Sequence, residues 1–207
     1  MSPRIIGLTG GIGMGKSTVS RYLEIAHKLP VLDADELARE AVQPGSPVLA
    51  AIAARYGGEI LTPEGHLNRA ALADIIFQDE AARRWVEGQI HPYVRDRMQQ
   101  DTQGREGAVV WSVPLLFEAG LAAAVDQVWV VHCTAQQQRH RLLARGLSIE
   151  QIEARIAAQW PVAQKLAQAT VALDNTLTPE ALHQQIDDAV TALNHRWFGS
   201  QDTVDSG

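Results

Sequence analysis

Short apolar runs alternate with longer amphipathic stretches along this chain. Ile5–Leu8, Val31–Leu32, Val109–Val113, Val128–Val131 and Val171–Leu173 are continuous runs, without the in-out alternation of a half-exposed strand. Runs of this kind suit strands covered on both faces, as in a parallel sheet with helices on either side. Helical signals lie between them. Thr134-Ala135-Gln136-Gln137 and Ser148-Ile149-Glu150-Gln151 both match the capping box, in which a Ser or Thr side chain caps the helix and a Gln three positions on returns the bond. Gly146 is placed to end the helix between them. Thr178 and Pro179 have the residue types of an N-cap and a first helical position. Leu182, Ile186, Val190, Leu193 and Trp197 then recur at helical spacing on one face.

Two segments are longer than simple crossovers need. Residues 44–106 hold several helical patterns between the second and third runs, and residues 134–168 hold two Arg-rich helices between the fourth and fifth. Connections in such folds run only a few residues, so these segments predict a helical substrate domain and a helical lid. The expected core is residues 1–43, 107–133 and 169–198, with a short polar tail at 199–207 predicted to be disordered.

The first run leads into Gly10-Gly11-Ile12-Gly13-Met14-Gly15-Lys16-Ser17, which satisfies G-x-x-x-x-G-K-[ST]. An amphipathic helix with Val19, Leu23 and Ala26 on one face follows. Each residue type has a physical reason. Glycines let the backbone wrap a phosphate with its N–H groups turned inward, and the helix starting near Gly15 adds its positive end. Lys16 supplies a point charge to the β- and γ-phosphates, and the Ser17 hydroxyl can ligate Mg²⁺. The candidate nucleotide-binding residues are therefore Gly11, Gly13, Met14, Gly15, Lys16, Ser17 and Thr18. The dinucleotide pattern G-x-G-x-x-G does not fit, so the sequence points to a nucleoside triphosphate in a P-loop NTPase-type fold: a five-stranded parallel sheet flanked by helices.

A GTPase switch would need D-x-x-G after a strand and an N-K-x-D base reader. Asp101-Thr102-Gln103-Gly104 matches the first only literally, since it precedes a strand, and the second does not occur. The third run reads Val109-Val110-Trp111-Ser112-Val113, with no acid near its end where an ATPase motor normally carries one. Acids instead follow the second run, as Asp33-Ala34-Asp35. Composition narrows the partners. The 207 residues are 46% hydrophobic and 20% charged, and a net charge of -6 argues against wholesale coating of nucleic acid. The lone Cys133 can form no internal disulfide. No run approaches the ~20 apolar residues of a membrane helix, and Met1–Leu8 has no signal-peptide layout. A soluble, cytoplasmic protein with no obligate protein partner is expected. Only Lys16, Lys28 and Lys165 among the 18 basic residues are lysines; in a chain whose tolerant basic positions have become Arg, they are candidates for sites where Arg would not serve.

Beyond the phosphate loop, the chain resembles the dephospho-coenzyme A kinase family. Leu8–Val19 resembles its phosphate loop, Asp33-Ala34-Asp35 its D-A-D motif, and Val42–Gly45 the V-x-P-G stretch after it. Leu67-Asn68-Arg69 with Leu72 and Phe77, then Ile90-His91-Pro92, are similar to its coenzyme-A-facing helical domain. Val113–Glu118 resembles its P-L-L-F-E signature. Arg141, Arg145, Gly146, Arg155-Ile156, Gln159, Lys165 and Asp174-Asn175 follow its lid and last strand. The resemblance implies ATP and dephospho-CoA as substrates, Mg²⁺ as cofactor, and transfer of phosphoryl to the ribose 3′-hydroxyl as the last step of coenzyme A synthesis. Another small P-loop kinase, or a non-catalytic ATP-dependent switch, is the alternative. Where many relatives have Asp, this chain has Ser112.

Within that frame Lys16, Asp33 and Arg141 are the candidate catalytic residues. Asp33, at the carboxyl end of a buried strand, is suited to take the proton of the attacking hydroxyl. Asp35 is expected to cap a helix over Glu36–Val42. Arg141 and Arg145, four apart, are expected on one face of a capped helix, where a triphosphate would bridge them. Asp33, His91, Pro114 and Leu115 are the candidate substrate contacts, with His91 biased out of helical geometry by Pro92. Lys165 is expected either in the lid's contacts or in solvent.

Overall fold

Each of the five apolar runs is a strand in the computed structural model, which describes residues 3–199: β1 (Arg4–Gly10), β2 (Val31–Asp33), β3 (Ala108–Ser112), β4 (Gln127–His132) and β5 (Val171–Asp174). They form one parallel sheet in the order β2-β3-β1-β4-β5. β1 is central, with Ile6 opposite Val110 on β3 and opposite Gln127 on β4. β4 carries β5 outside it, with Val131 opposite Leu173. Strands that leave β1 on opposite sides open a crevice at their carboxyl ends, and β1 enters the phosphate loop at that end.

The chain divides into two units, one containing the residues up to Leu32 and from Glu106 onward, the other Asp33–Arg105. In the first, α1 (Lys16–Ala26) and α9 (Pro179–Phe198) bury their apolar stripes against one face of the sheet. Ile6, Leu8, Val110, Trp129 and Val131 from the strands meet Val19, Leu23, Leu182, Ile186, Val190 and Leu193 from the helices, all nearly or fully buried. Thr178 caps α9 by accepting from the Ala181 N–H, and Pro179 opens its first turn, as the sequence predicts. The other face is packed close to the backbone at Gly7, where a Cβ would meet Leu116 at 2.9 Å and Val125 at 3.0 Å. α6 (Ala135–Leu143), α7 (Ile149–Ala157) and α8 (Val162–Leu166) belong to this unit. Thr134 and Ser148 each form the full capping box.

The second unit holds α2 (Ala34–Glu40), α3 (Pro47–Tyr56), α4 (Arg69–Gln78) and α5 (Glu80–Thr102). Val42, Leu49, Ile52, Ile60, Leu67, Leu72 and Val86 form its own core. Ser46, Asn68 and Asp79 cap α3, α4 and α5 through their side chains. Two expectations fail here. The helix after β2 runs over Ala34–Glu40 and is capped by Asp33, whose carboxylate accepts from the Asp35 N–H at 2.9 Å, so Asp35 is a first-turn residue and not the cap. His91 and Pro92 lie inside α5. The proline bias against helix is a local preference, overridden where a 23-residue helix buries Ala82, Val86, Val94 and Met98 along its length. Asp101 and Thr102 close α5 ahead of β3, which removes the literal D-x-x-G match from any strand end. The predicted tail from residue 200 lies outside the described residues. No helix among the described residues is long and apolar enough to cross a membrane.

The burial pattern of α9 makes a direct test. Ile186 is fully buried in the first unit's core, while Leu177, just before the helix, is 69% exposed. Ile186→Ala should cost about 2–5 kcal/mol in urea unfolding. Leu177→Ala should stay within about 0.5 kcal/mol of the parent. Similar costs for the two would mean that α9 does not cover the sheet as described.

Candidate active site

The phosphate loop is a bare helix start. β1 ends at Gly10 and α1 begins at Lys16, with Gly15 as N-cap at φ 110°, no side chain capping it and no acid in the first turn. The positive end of α1 is thereby left for an anion. Gly15 has two reasons to be glycine: its φ is left-handed, and a Cβ there would collide with the Asn175 side chain.

Side chains far away in sequence pin the loop. Ile12 donates its N–H to Gln159 Oε1 at 2.9 Å and receives Gln138 Nε2 on its carbonyl at 2.8 Å. The Met14 carbonyl accepts from Asn175 Nδ2 at 2.8 Å and from Arg141 at 3.3 Å. Arg141 also donates to the Asn175 carbonyl at 3.1 Å. Met14 itself is 4% exposed, so its side chain packs while its backbone serves the loop. Lys16 Nζ lies 2.5 Å from Ser112 Oγ, to which Ser20 also donates at 3.2 Å. Ser112, at the end of β3 and fully buried, thus holds the loop lysine with a neutral hydroxyl at the position where an acid is usual.

Beyond β3, the Pro114 carbonyl accepts from both Thr9 Oγ1 at 3.0 Å and Lys165 Nζ at 3.2 Å. Leu115 is 40% exposed, whereas Leu116 and Phe117 are core. An open cavity of about 370 Å³ is lined by Gln136, Gln137, His140 and Arg141.

Of the residues singled out from sequence, Gly11, Gly13, Met14, Gly15, Lys16, Ser17 and Thr18 share one loop and helix start, and Arg141 reaches its backbone. Arg145 does not share a face with Arg141. α6 stops at Leu143 with Ala144 as C-cap, and Arg145 lies exposed in the turn that Gly146 closes. Lys165 is neither lid contact nor solvated: it is fully buried and pairs with Glu118 at 2.8 Å. Asp33 and His91 belong to the second unit, where Asp33 caps α2 and His91 is exposed on α5. Gln138, absent from the sequence-based candidates, tethers the loop. A glutamine inside a helix gives no local sign of such a role.

The donor set fits Mg²⁺. Ser17 presents a hard oxygen, exposed in the first turn of α1. Among the described residues no group of three or more His, Cys, Asp or Glu could hold a metal. Mg²⁺ is ordinarily carried by substrate phosphates and water with few protein ligands.

Comparison with known proteins agrees over most of the chain. The family model for dephospho-CoA kinase (CoaE) matches residues 4–180. A dephospho-CoA kinase of Trichormus variabilis is 50% identical over 192 residues, covering 92% of this chain and 98% of its own. One from Gloeobacter violaceus is 52% identical over 176 residues, covering 84% and 85%. A Thermus thermophilus protein of known structure has a TM-score of 0.81 at 35% identity, covering 93% of this chain and 98% of its own. A dephospho-CoA kinase of Campylobacter jejuni shares the fold, with a TM-score of 0.70 at 23% identity, covering 91% and 96%.

The Glu118–Lys165 pair makes stability depend on acid. Burial works to raise the Glu118 carboxyl, but Lys165, the Trp160 N–H and its own backbone N–H outweigh it and hold the pKa below the ordinary 4.5. A carboxylate lowered on folding contributes stability above its unfolded pKa and loses it as pH falls through the folded one. Thermal midpoints of the parent should therefore drop below about pH 4.5 more steeply than those of Glu118→Gln. Parallel profiles for the two would show that the pair adds nothing to acid sensitivity.

Proposed function

The chain belongs to the dephospho-CoA kinase family, the kinases of the last step of coenzyme A synthesis, and we propose how its own residues divide that work. ATP binds with its phosphates on the Gly10–Ser17 loop. The ribose 3′-hydroxyl oxygen of dephospho-CoA attacks the γ-phosphorus in line. The bond from that phosphorus to the β–γ bridging oxygen breaks, ADP leaves with that oxygen, and the hydroxyl proton passes to the Asp33 carboxylate. Coenzyme A and ADP are the products. The observation that carries this reading is the phosphate loop itself: an uncapped, acid-free helix start with Lys16 in its first turn, in a chain that follows one kinase family over most of its length.

Lys16 draws charge from the migrating phosphoryl group, for which positioned electrostatic donors are the main catalytic device. Ser17 Oγ would hold Mg²⁺ together with the phosphates; that ion supplies neutralisation of the β- and γ-oxygens when bound. Arg141, bonded to the Met14 carbonyl, keeps a fixed positive charge beside the loop. Arg145, exposed in the turn after α6, adds a second positive charge for the nucleotide on the same segment, residues 134–168. That segment serves as a lid that excludes water from the transfer. His91, Pro114 and Leu115 contribute to acceptor binding.

Release of ADP with dephospho-CoA, with nucleoside monophosphates and with buffer alone tests the acceptor. Stimulation by dephospho-CoA alone is expected, and equal rates in all three arms would sink the proposal. Lys16→Ala should lower kcat by about 10²–10³-fold in a folded protein, and near-parental turnover would remove Lys16 from the chemistry.

Asp33→Asn isolates the proton acceptor, because Asn caps a helix about as well as Asp and so preserves α2. The substitution should lower kcat by about 10²–10⁴-fold. ATP·Mg²⁺ affinity should change by less than about tenfold. The opposite pattern, lost ATP·Mg²⁺ affinity with kcat preserved at saturation, would reassign Asp33 to the metal.

A further inference from the structure

Lys165 is the one fully buried charged side chain among the described residues, and burying an ammonium and a carboxylate together is not a cheap way to fill space. Its surroundings show what the pair touches. Glu118 Oε1 accepts from Lys165 Nζ at 2.8 Å and from the Trp160 N–H at 2.8 Å, while Oε2 is buried without a hydrogen-bond partner. The Phe117 ring stacks on Trp160 with centroids 5.6 Å apart and planes 6° from parallel. Lys165 also donates to the Pro114 carbonyl, which Thr9 at the end of β1 shares. The residue before Trp160 is Gln159, whose Oε1 receives the Ile12 N–H of the phosphate loop. One ion pair therefore fastens the stretch after β3 to the elbow between α7 and α8, and that elbow holds the loop.

We propose that Lys165 and Glu118 are a positioning pair for the phosphate loop, acting through the Gln159–Trp160 elbow so that the loop is shaped for the triphosphate before it arrives. The role rests on the reading of the loop as the ATP site. Neither residue touches the reacting atoms. An amide such as Gln159 can hold a backbone N–H only while its own main chain is fixed. Its neighbour Trp160 is fixed by a charged acceptor, a stronger partner than a neutral one. Removing Lys165 leaves Glu118 buried without its cation, and the elbow must shift to let that carboxylate find water or a proton. The loss then falls on nucleotide affinity more than on the transfer step, because an unshaped loop has to be ordered by the nucleotide itself.

The test compares Lys165→Met, Gln159→Ala and the double variant. It reads the ATP and dephospho-CoA KM values, kcat at saturating ATP, and ADP affinity by calorimetry. Lys165→Met should raise the ATP KM and the ADP Kd by about tenfold, a typical coupling within one network. Its kcat should stay within about threefold of the parent and its dephospho-CoA KM unchanged, a split that general loosening of the fold would not produce. Gln159→Ala should give the same shift, and the double variant should be no worse than either single one. Parental ADP affinity in folded Lys165→Met, or losses that multiply in the double variant, would overturn the proposal. If Lys165→Met does not fold, Gln159→Ala decides alone: parental ADP affinity overturns the proposal, and a loss near tenfold supports it. A parent that binds no ADP would refute the nucleotide site itself, a different result from a parent that binds while its variants do not differ.

Discussion

A loop that binds phosphate with its backbone has to keep N–H groups turned away from ordinary secondary structure, and the first unit is organised around that demand. The loop makes a few turn bonds of its own, such as the Met14 N–H to the Gly11 carbonyl. Its shape comes mostly from partners in distant segments: Gln138 on α6, Gln159 after α7, and Asn175 after β5. The chemistry of these tethers matters as much as their number. Side-chain amides donate or accept without bringing charge, so they fix the backbone and leave the positive end of α1 undiminished. Arg141, which shares the Met14 carbonyl, adds to that field. Glu118, which reaches the loop only through the Gln159–Trp160 elbow, is matched by Lys165.

How much of this could be read from sequence follows from the range over which each signal acts. The three central strands were legible because burial on both faces leaves an unbroken apolar run. The half-exposed edge strands β2 and β5 were legible because their runs, though short, are still apolar. Capping boxes were legible because their partners sit three residues apart. The loop was legible because its glycines, lysine and serine are contiguous. Arg145 shows where short-range reasoning slips. Gly146 marks the stop of α6, but the helix ends before Arg145, and a spacing of four carries no information once one member has left the helix. His91 shows the reverse, a local bias from Pro92 overridden by burial along α5. Gln138 and Gln159 could not have been ranked by any local rule, since their bonds to Ile12 cross 126 and 147 residues.

The scarcity of lysine was a subtler signal and carried more than it first suggests. In a chain where tolerant basic positions are Arg, two of the three lysines occupy places that reward a compact ammonium. Lys16 works as a point charge at a helix start, and Lys165 fits a fully enclosed space with donors to both a carboxylate and a carbonyl. The planar fork of Arg would need more room than such a space gives. Lys28 sits at a left-handed turn after α1, with φ 54°, and nothing in the structure explains the choice there.

Ser112 ties these threads together. An acid at the end of β3 would attract Lys16 strongly and stand close to where phosphate charge must gather. A serine accepts the same hydrogen bond at 2.5 Å without a formal negative charge. A carboxylate at this position would compete with an arriving phosphate for Lys16 as a second anion, and a hydroxyl competes less because its hydrogen bond carries no charge. The exchange has a corollary for the metal. With Ser112 in place of a carboxylate, the end of β3 offers a bound Mg²⁺ no negative ligand, and Ser17 would contribute a neutral oxygen. The charge such an ion would neutralise is that of the nucleotide phosphates, so nucleotide and metal are expected to bind as a single unit.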